Sequence, residues 1–296
     1  MTALVTGATG FVGPHVAHAL RARELPVRAL VRDPARAGRL VAWGVELTKG
    51  DVTDSTSLRE AFADVDTVVH LVAVIKGSRA DFERIMVQGT RNVVTAAREA
   101  GVRRFVLASA LGLDEHSRNA VSYFAAKWEM ERAVKESGLE YVIFRPSFIF
   151  GKDGGVLPTF VRLARFAPVT PIVGPGTQRL QPIWVEDVAE YYAEAIDLSA
   201  AANRTFEIGG PDAPTWNEFW DRLKRVLGSR RPSIHLPIGL MRAQAALTEK
   251  LPGAPVTRDQ LTMLALGDNV VTDPAAAETF RLELVPLDEQ LRRAAT

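Results

Sequence analysis

Short apolar runs alternate with stretches of helical period along the first half of the chain. Ala3-Leu-Val, Val27-Arg-Ala-Leu-Val, Val45-Glu-Leu, Thr67-Val-Val-His-Leu, Arg104-Phe-Val-Leu-Ala and Tyr141-Val-Ile-Phe are nearly continuous in apolar and β-branched residues. Such runs suit strands covered on both faces, whereas a strand with one wet face would alternate. Right-handed crossovers then predict an α/β fold, a doubly wound parallel sheet of six strands. After Gly151 the rhythm breaks. Proline-rich loops (Pro168, Pro171, Pro175, Pro182) mix with predicted helices over residues 185–198, 216–227 and 238–250, which reads as a smaller, irregular C-terminal substrate lobe. The expected division places residues 1–150 in a dinucleotide-binding core, joined by about 179–210, and residues 151–178 and 211–296 in the second lobe.

The connection after the first strand carries the first chemical signal. Thr6-Gly-Ala-Thr-Gly-Phe-Val-Gly13 precedes a predicted helix running to about Arg23. Gly7, Gly10 and Gly13 permit a tight turn, a close backbone approach and tight helix–strand packing, while the helix end offers free N–H groups and a positive dipole end. Placed after strand one of an alternating pattern, the motif predicts that Gly7, Thr9, Gly10, Phe11, Val12 and Gly13 cradle a dinucleotide pyrophosphate in a Rossmann domain.

The end of the second strand bears on NADP against NAD. Val31 stands where an acid would hold a ribose 2′-hydroxyl, and Arg32 and Arg36 follow, cations suited to a 2′-phosphate. NADPH is therefore the expected cofactor, with NAD as the alternative. Asp33 is expected to cap the helix starting at Pro34. Asp51 and Val52 are expected to flank the adenine, and Leu71, Val72 and Ala73 to pass close to the cofactor; His70 reads as a packed strand residue.

Composition and charge narrow the rest. The 36 Lys and Arg against 35 Asp and Glu leave a net charge of +1, so no net field favours nucleic acid. There is no cysteine, which removes disulfides and thiolate chemistry. No apolar run approaches the roughly 18 residues of a membrane span, and the start reads as a strand, so a cytoplasmic location is expected. The five histidines show no metal-ligand spacing with carboxylates, and no metal site is expected.

Tyr123-Phe-Ala-Ala-Lys127 puts a phenol and an ammonium four residues apart, hence on one helix face. The pair follows the fifth strand, which ends at Ala108-Ser109. In this reading Tyr123 exchanges a proton, Lys127 favours the phenolate and holds the nicotinamide ribose, and Ser109 donates to the substrate oxygen.

These residues resemble the short-chain dehydrogenase/reductase superfamily in its extended or atypical branch: Gly7-x-x-Gly10-x-x-Gly13, Asp51, Ser109, Tyr123-x-x-x-Lys127, Arg145-Pro-Ser147 and Trp184-Val-Glu-Asp-Val188, with Phe206-Glu-Ile-Gly-Gly-Pro211 as a late strand. The resemblance implies that Pro146 and Ser147 lie against the nicotinamide and that Asp187 belongs to a structural motif opening a helix of the second lobe. More narrowly, residues 251–260 and Leu266-Gly-Asp-Asn-Val-Val271 resemble bacterial relatives of the NADPH-binding accessory subunit of respiratory complex I. Two departures stand out. Met86 replaces an Asn usual in the family, which puts a water-linked proton relay in doubt, and Phe148 replaces an Asn that contacts sugar nucleotides in epimerases.

Three functions follow as expectations. The first is NADPH-dependent reduction of a carbonyl or quinone-like apolar substrate, received by Phe148, Phe150, Leu157, Phe160, Ile172 and Trp184 or merely packed beneath them. The second is a non-catalytic NADPH-binding module of a larger assembly, and the third a nucleotide-sugar epimerase or dehydratase, which Phe148 disfavours. Arg179 would meet an anion or pair with Glu186 or Asp187. Helices over residues 82–100 and 121–136 could form a homodimer interface.

Overall fold

The computed structural model describes residues 1–248 and 258–296. Seven parallel strands form the central sheet: β1 (Ala3–Thr6), β2 (Val27–Val31), β3 (Glu46–Lys49), β4 (Thr67–His70), β5 (Arg104–Ala108), β6 (Glu140–Pro146) and β10 (Arg204–Ile208), in the order β3-β2-β1-β4-β5-β6-β10. The six expected strands are all present, and the late strand at Phe206 adds the seventh beside β6, with Phe206 opposite Phe144. The order reverses at β1/β4, where a doubly wound sheet opens a crevice beyond its strand ends.

One face of the sheet is covered by α1 (Gly13–Ala22), the short α2 (Gly38–Ala42) and α8 (Val185–Ala195), with Val16, Leu20, Val188 and Tyr192 in one apolar cluster. The opposite face carries α3 (Arg79–Asp81), a π-helical stretch over Phe82–Gln88, α4 (Gly89–Glu99), α5 (Ser117–Ala120) and α6 (Ser122–Lys135), with Met86, Val93, Ala126 and Met130 packed on Leu4, Val68 and Phe105. The helix opened by Trp184-Val-Glu-Asp-Val188 therefore lies on the central sheet and not in the second lobe. Arg104, buried at the start of β5, fixes its far end by donating to the Ala195 and Leu198 carbonyls at 2.7 and 3.0 Å.

The remaining elements are β7 (Ile149–Phe150) paired with β9 (Ile183–Trp184), α7 (Leu157–Phe166), β8 (Thr170–Val173) paired with β11 (Ser233–Leu236), α9 (Trp216–Val226), α10 (Ile238–Thr248), α11 (Arg258–Ala265), α12 (Ala275–Phe280) and α13 (Leu287–Ala295). Phe150, Leu157, Ile172, Trp184, Trp216, Phe219 and Trp220 form a separate aromatic-rich cluster. Four of the six residues expected to receive an apolar ligand are thus packing residues, and only Phe148 and Phe160 remain partly exposed. The chain then returns to the central sheet, where Phe280 packs on Phe144 and Phe206 at 5.5 and 5.2 Å between ring centres. Most of residues 251–260 fall outside the described residues; the Leu266–Val271 motif lies within them.

Candidate functional site

The first half of the site is backbone. Gly7 adopts φ +75°, and a Cβ there would come within 3.0 and 3.1 Å of the Leu71 carbonyl carbon and the Val72 nitrogen. The loop after β1 is thereby pressed against the loop after β4, which brings Leu71 and Val72 beside the glycine turn. At Gly13 a Cβ would lie 2.3 Å from the Gly7 carbonyl oxygen, so α1 can begin this close to the strand only without a side chain. The Gly10 N–H closes the turn on the Gly7 carbonyl at 3.0 Å, and Thr9 and Gly10 are exposed. Val12 precedes α1 and no side chain caps it; Pro14 has no N–H, so Gly13 and His15 supply the amides of the first turn that lack a side-chain cap.

Around this loop, Arg32 and Arg36 are exposed and form no ion pair among the described residues. Asp33 is occupied as expected: its carboxylate accepts from the Ala35 N–H at 3.1 Å and caps the turn starting at Pro34. Asp51 accepts from both the backbone and the hydroxyl of Thr53 at 2.9 Å. Val52 is held from α4, where Asn92 donates to its carbonyl at 2.8 Å and Gly89 leaves room for its side chain. Ala73 is exposed beyond the end of β4.

His70 is wholly buried. Its Nδ1 lies 2.6 Å from the Thr6 hydroxyl and its Nε2 3.0 Å from that of Thr90, which itself donates to the Met86 carbonyl at 2.6 Å. Because the Thr90 proton is committed to Met86, its oxygen must accept from Nε2–H, which leaves Nδ1 to accept from Thr6. Burial, with a smaller contribution from the Lys127 charge, pushes the imidazole down to about 3. His70 therefore links β1, β4 and α4 as a neutral packed residue.

The second half of the site is built from side chains. Tyr123 and Lys127 share one face of α6, with the Lys127 ammonium 5.8 Å from the phenol ring centre. Lys127 is 1% exposed and donates to the Ala108 carbonyl at the end of β5, 2.6 Å away. Burial draws it down to about 8, opposed by the charge of Glu131. Tyr123 is pushed up to about 12 by burial. The expected phenolate is not favoured in the free chain, because burial penalises the charged form.

Ser109 also differs from expectation. Its hydroxyl donates to Glu131 at 2.6 Å, so its single proton is committed within the chain. Glu131, one turn beyond Lys127 and 3% exposed, accepts in addition a two-pronged bond from Arg145, both prongs at 2.8 Å, and one from Lys135 at 3.0 Å. Arg145, Ser109 and Lys135 hold its carboxyl below the usual range although burial opposes them. This cluster ties the ends of β5 and β6 to α6. Sequence reasoning passed over Glu131, yet Tyr123, Lys127 and Glu131 recur every four residues on one face.

Beyond β6, Pro146 is paired with Ile208. The Ser147 hydroxyl donates to Asn269 Oδ1 at 2.6 Å. Asn269 belongs to the Leu266–Val271 motif, whose backbone runs beside Arg179–Gln181 with bonds of 2.8 and 3.0 Å. Arg179 pairs with Asp268 at 2.9 Å in place of either expected partner, and Asp187, pushed up to about 6 chiefly by burial, accepts from the Val285 N–H. These motifs fasten the last part of the chain across the end of the sheet. A further contact was missed in sequence: Phe11 packs against Gly151, Gly154 and Gly155, where a Cβ at Gly154 would approach it to 2.2 Å. The adjacent Asp153 meets His15 at 3.2 Å and Arg39 at 3.3 Å.

A family described as NAD(P)H-binding matches residues 7–197. The mouse mitochondrial "NADH dehydrogenase [ubiquinone] 1 alpha subcomplex subunit 9" is 30% identical over 100% of this chain and 81% of its own length. A ceramide reductase of Caulobacter vibrioides is 31% identical over 79% of this chain and 73% of its own length. Among solved structures, an NADPH-dependent quinone oxidoreductase of Escherichia coli complexed with NADPH superposes with a TM-score of 0.79 at 22% identity, over 98% of each chain. No helix among the described residues is long and apolar enough to cross a membrane.

Proposed function

The chain belongs to the NAD(P)H-binding family, and from that premise we propose that it is an NADPH-dependent reductase of an apolar carbonyl or quinone-like compound. The observation that carries the reading is the Tyr123–Lys127 pair on one face of α6, its buried ammonium bonded to the end of β5 in the same sheet whose first turn is the glycine loop. The names of relatives support it at the level of reaction class: azoreductase, ceramide reductase and quinone oxidoreductase all transfer reducing equivalents.

The residues fit the cofactor on the chain's own geometry. The Gly7–Gly13 cradle and the uncapped start of α1 would hold the pyrophosphate, Arg32 and Arg36 the 2′-phosphate, Asp51 and Val52 the adenine side, Lys127 the nicotinamide ribose, and Leu71–Ala73, Pro146 and Ser147 the nicotinamide side. When bound, the cofactor supplies a hydride. Tyr123 would deliver the proton from its hydroxyl: at about 12 it is protonated at neutral pH, the form a reduction requires of its acid. Lys127, at about 8, would keep its charge at neutral pH and steady the phenolate left behind. Ser109 would act through Glu131 as a support for α6.

The commitment of Ser109 to Glu131 favours one rival, a non-catalytic NADPH-binding module, for which the accessory-subunit relative is a precedent in name. The deciding experiment follows reduced nicotinamide absorbance with quinones, aldehydes and ketones, with Tyr123→Phe in parallel. Consumption by the parent alone establishes the reductase; tight binding without consumption establishes the module.

A further inference from the structure

A corner remote from the glycine loop carries a second surface. Phe166, the last residue of α7, is 74% exposed. Two arginines flank it: Arg165 precedes it and donates to the Ala295 carbonyl, and Arg231 donates at 2.7 Å to the carbonyl of Ala167, the residue that follows it. Arg165, Arg230 and Arg231, with the turn Leu227–Ser229, line a recess of about 420 Å³. None of these three arginines forms an ion pair among the described residues, and Asp221 on α9 is already taken by Lys224 at 3.1 Å.

The neighbouring β8–β11 ribbon extends the surface with apolar area. Ser233 and His235 bond to Lys224 and Asn217 of α9, on the side of the ribbon where Ile172 is buried in the aromatic cluster, although His235 itself stays exposed. Strand alternation puts Pro171, Val173, Ile234 and Leu236 on the other side, where Ile234 is 39% exposed and the other three are half-buried. The ribbon begins where the arginines end, since the Thr170 N–H donates to the Pro232 carbonyl at 2.8 Å.

We infer that this corner docks the protein on a bilayer carrying anionic lipids. The three guanidinium groups, which have no carboxylate partner among the described residues, and their recess seat phosphate headgroups, and Phe166 with Ile234 of the ribbon enters the interface beside them. A projecting aromatic ring beside a cation-lined recess suits headgroup and acyl boundary together. The inference does not rest on the reductase reading.

The test is cosedimentation of the full chain with vesicles of phosphatidylcholine alone or mixed one-to-one with phosphatidylglycerol, with and without added salt. Salt-sensitive binding to the mixed vesicles alone is expected, falling roughly tenfold or more in Arg230→Glu with Arg231→Glu, and roughly tenfold in Phe166→Ser. Retained NADPH binding certifies that each variant folds; should the double variant not fold, Phe166→Ser alone decides. Equal binding to both vesicles, binding that survives the substitutions, or no binding overturns the proposal. Inorganic phosphate bound without vesicle binding would leave a soluble-anion site, and capture of an acidic protein without vesicle binding a protein surface; either outcome also overturns it.

Discussion

The glycine loop and the Glu131 cluster sit at the same end of one sheet but hold their groups in opposite ways. In the loop, Gly7 and Gly13 bring backbone against backbone and leave the first amides of α1 unpaired. In the cluster, one buried carboxylate accepts bonds from Ser109, Arg145 and Lys135, two at each oxygen, and both oxygens are occupied. The difference separates a seat from a scaffold. Unpaired amides are suited to receive an anion, whereas a satisfied charge network fixes what surrounds it.

Substitutions can sharpen or break this contrast. The largest loss is expected from Glu131→Ala, which strands Arg145 and frees Ser109: about 3–5 kcal/mol of stability, read from denaturant unfolding. A loss under 1 kcal/mol would show that the network is not a scaffold. Tyr123→Phe should lower turnover roughly a hundredfold or more with little change in NADPH affinity or melting temperature, measured by steady-state kinetics and titration. Gly13→Ala should destabilise by about 1–3 kcal/mol and weaken NADPH binding in calorimetry, because the new Cβ meets the Gly7 carbonyl; unaltered binding would refute the seat.

The pH response separates the two regions further. The folded value of Lys127, about 8, lies below its ordinary 10.5, so over that interval the unfolded chain binds the extra proton. The burial penalty on the cation is full below about 8 and relieved as pH rises to about 10.5. Stability of the parent relative to Lys127→Met should rise across that window, as urea midpoints would report. The smallest effect is expected at the rim: Arg32→Ala should weaken NADPH roughly tenfold and leave NADH unchanged, in parallel titrations. Equal losses for both would remove Arg32 from 2′-phosphate recognition.

Local chemistry was the legible part of this chain. Near-continuous apolar runs dictate a covered parallel sheet, glycine at positions 7, 10 and 13 dictates where backbone must come close, and Asp33 before Pro34 caps its turn as that pair ordinarily does, since each effect is decided within a few residues. Tertiary structure alone decided what each side chain spends its bonds on. Ser109 meets Glu131 from 22 residues away, Arg179 meets Asp268 from 89, and Ser147 meets Asn269 from 122. Such partners are chosen by which strand ends lie side by side, and burial then sets their charge: the Tyr123–Lys127 spacing suggested a phenolate, but the desolvated site protects the phenol, because solvation depends on everything packed around a group and not on its neighbours in sequence.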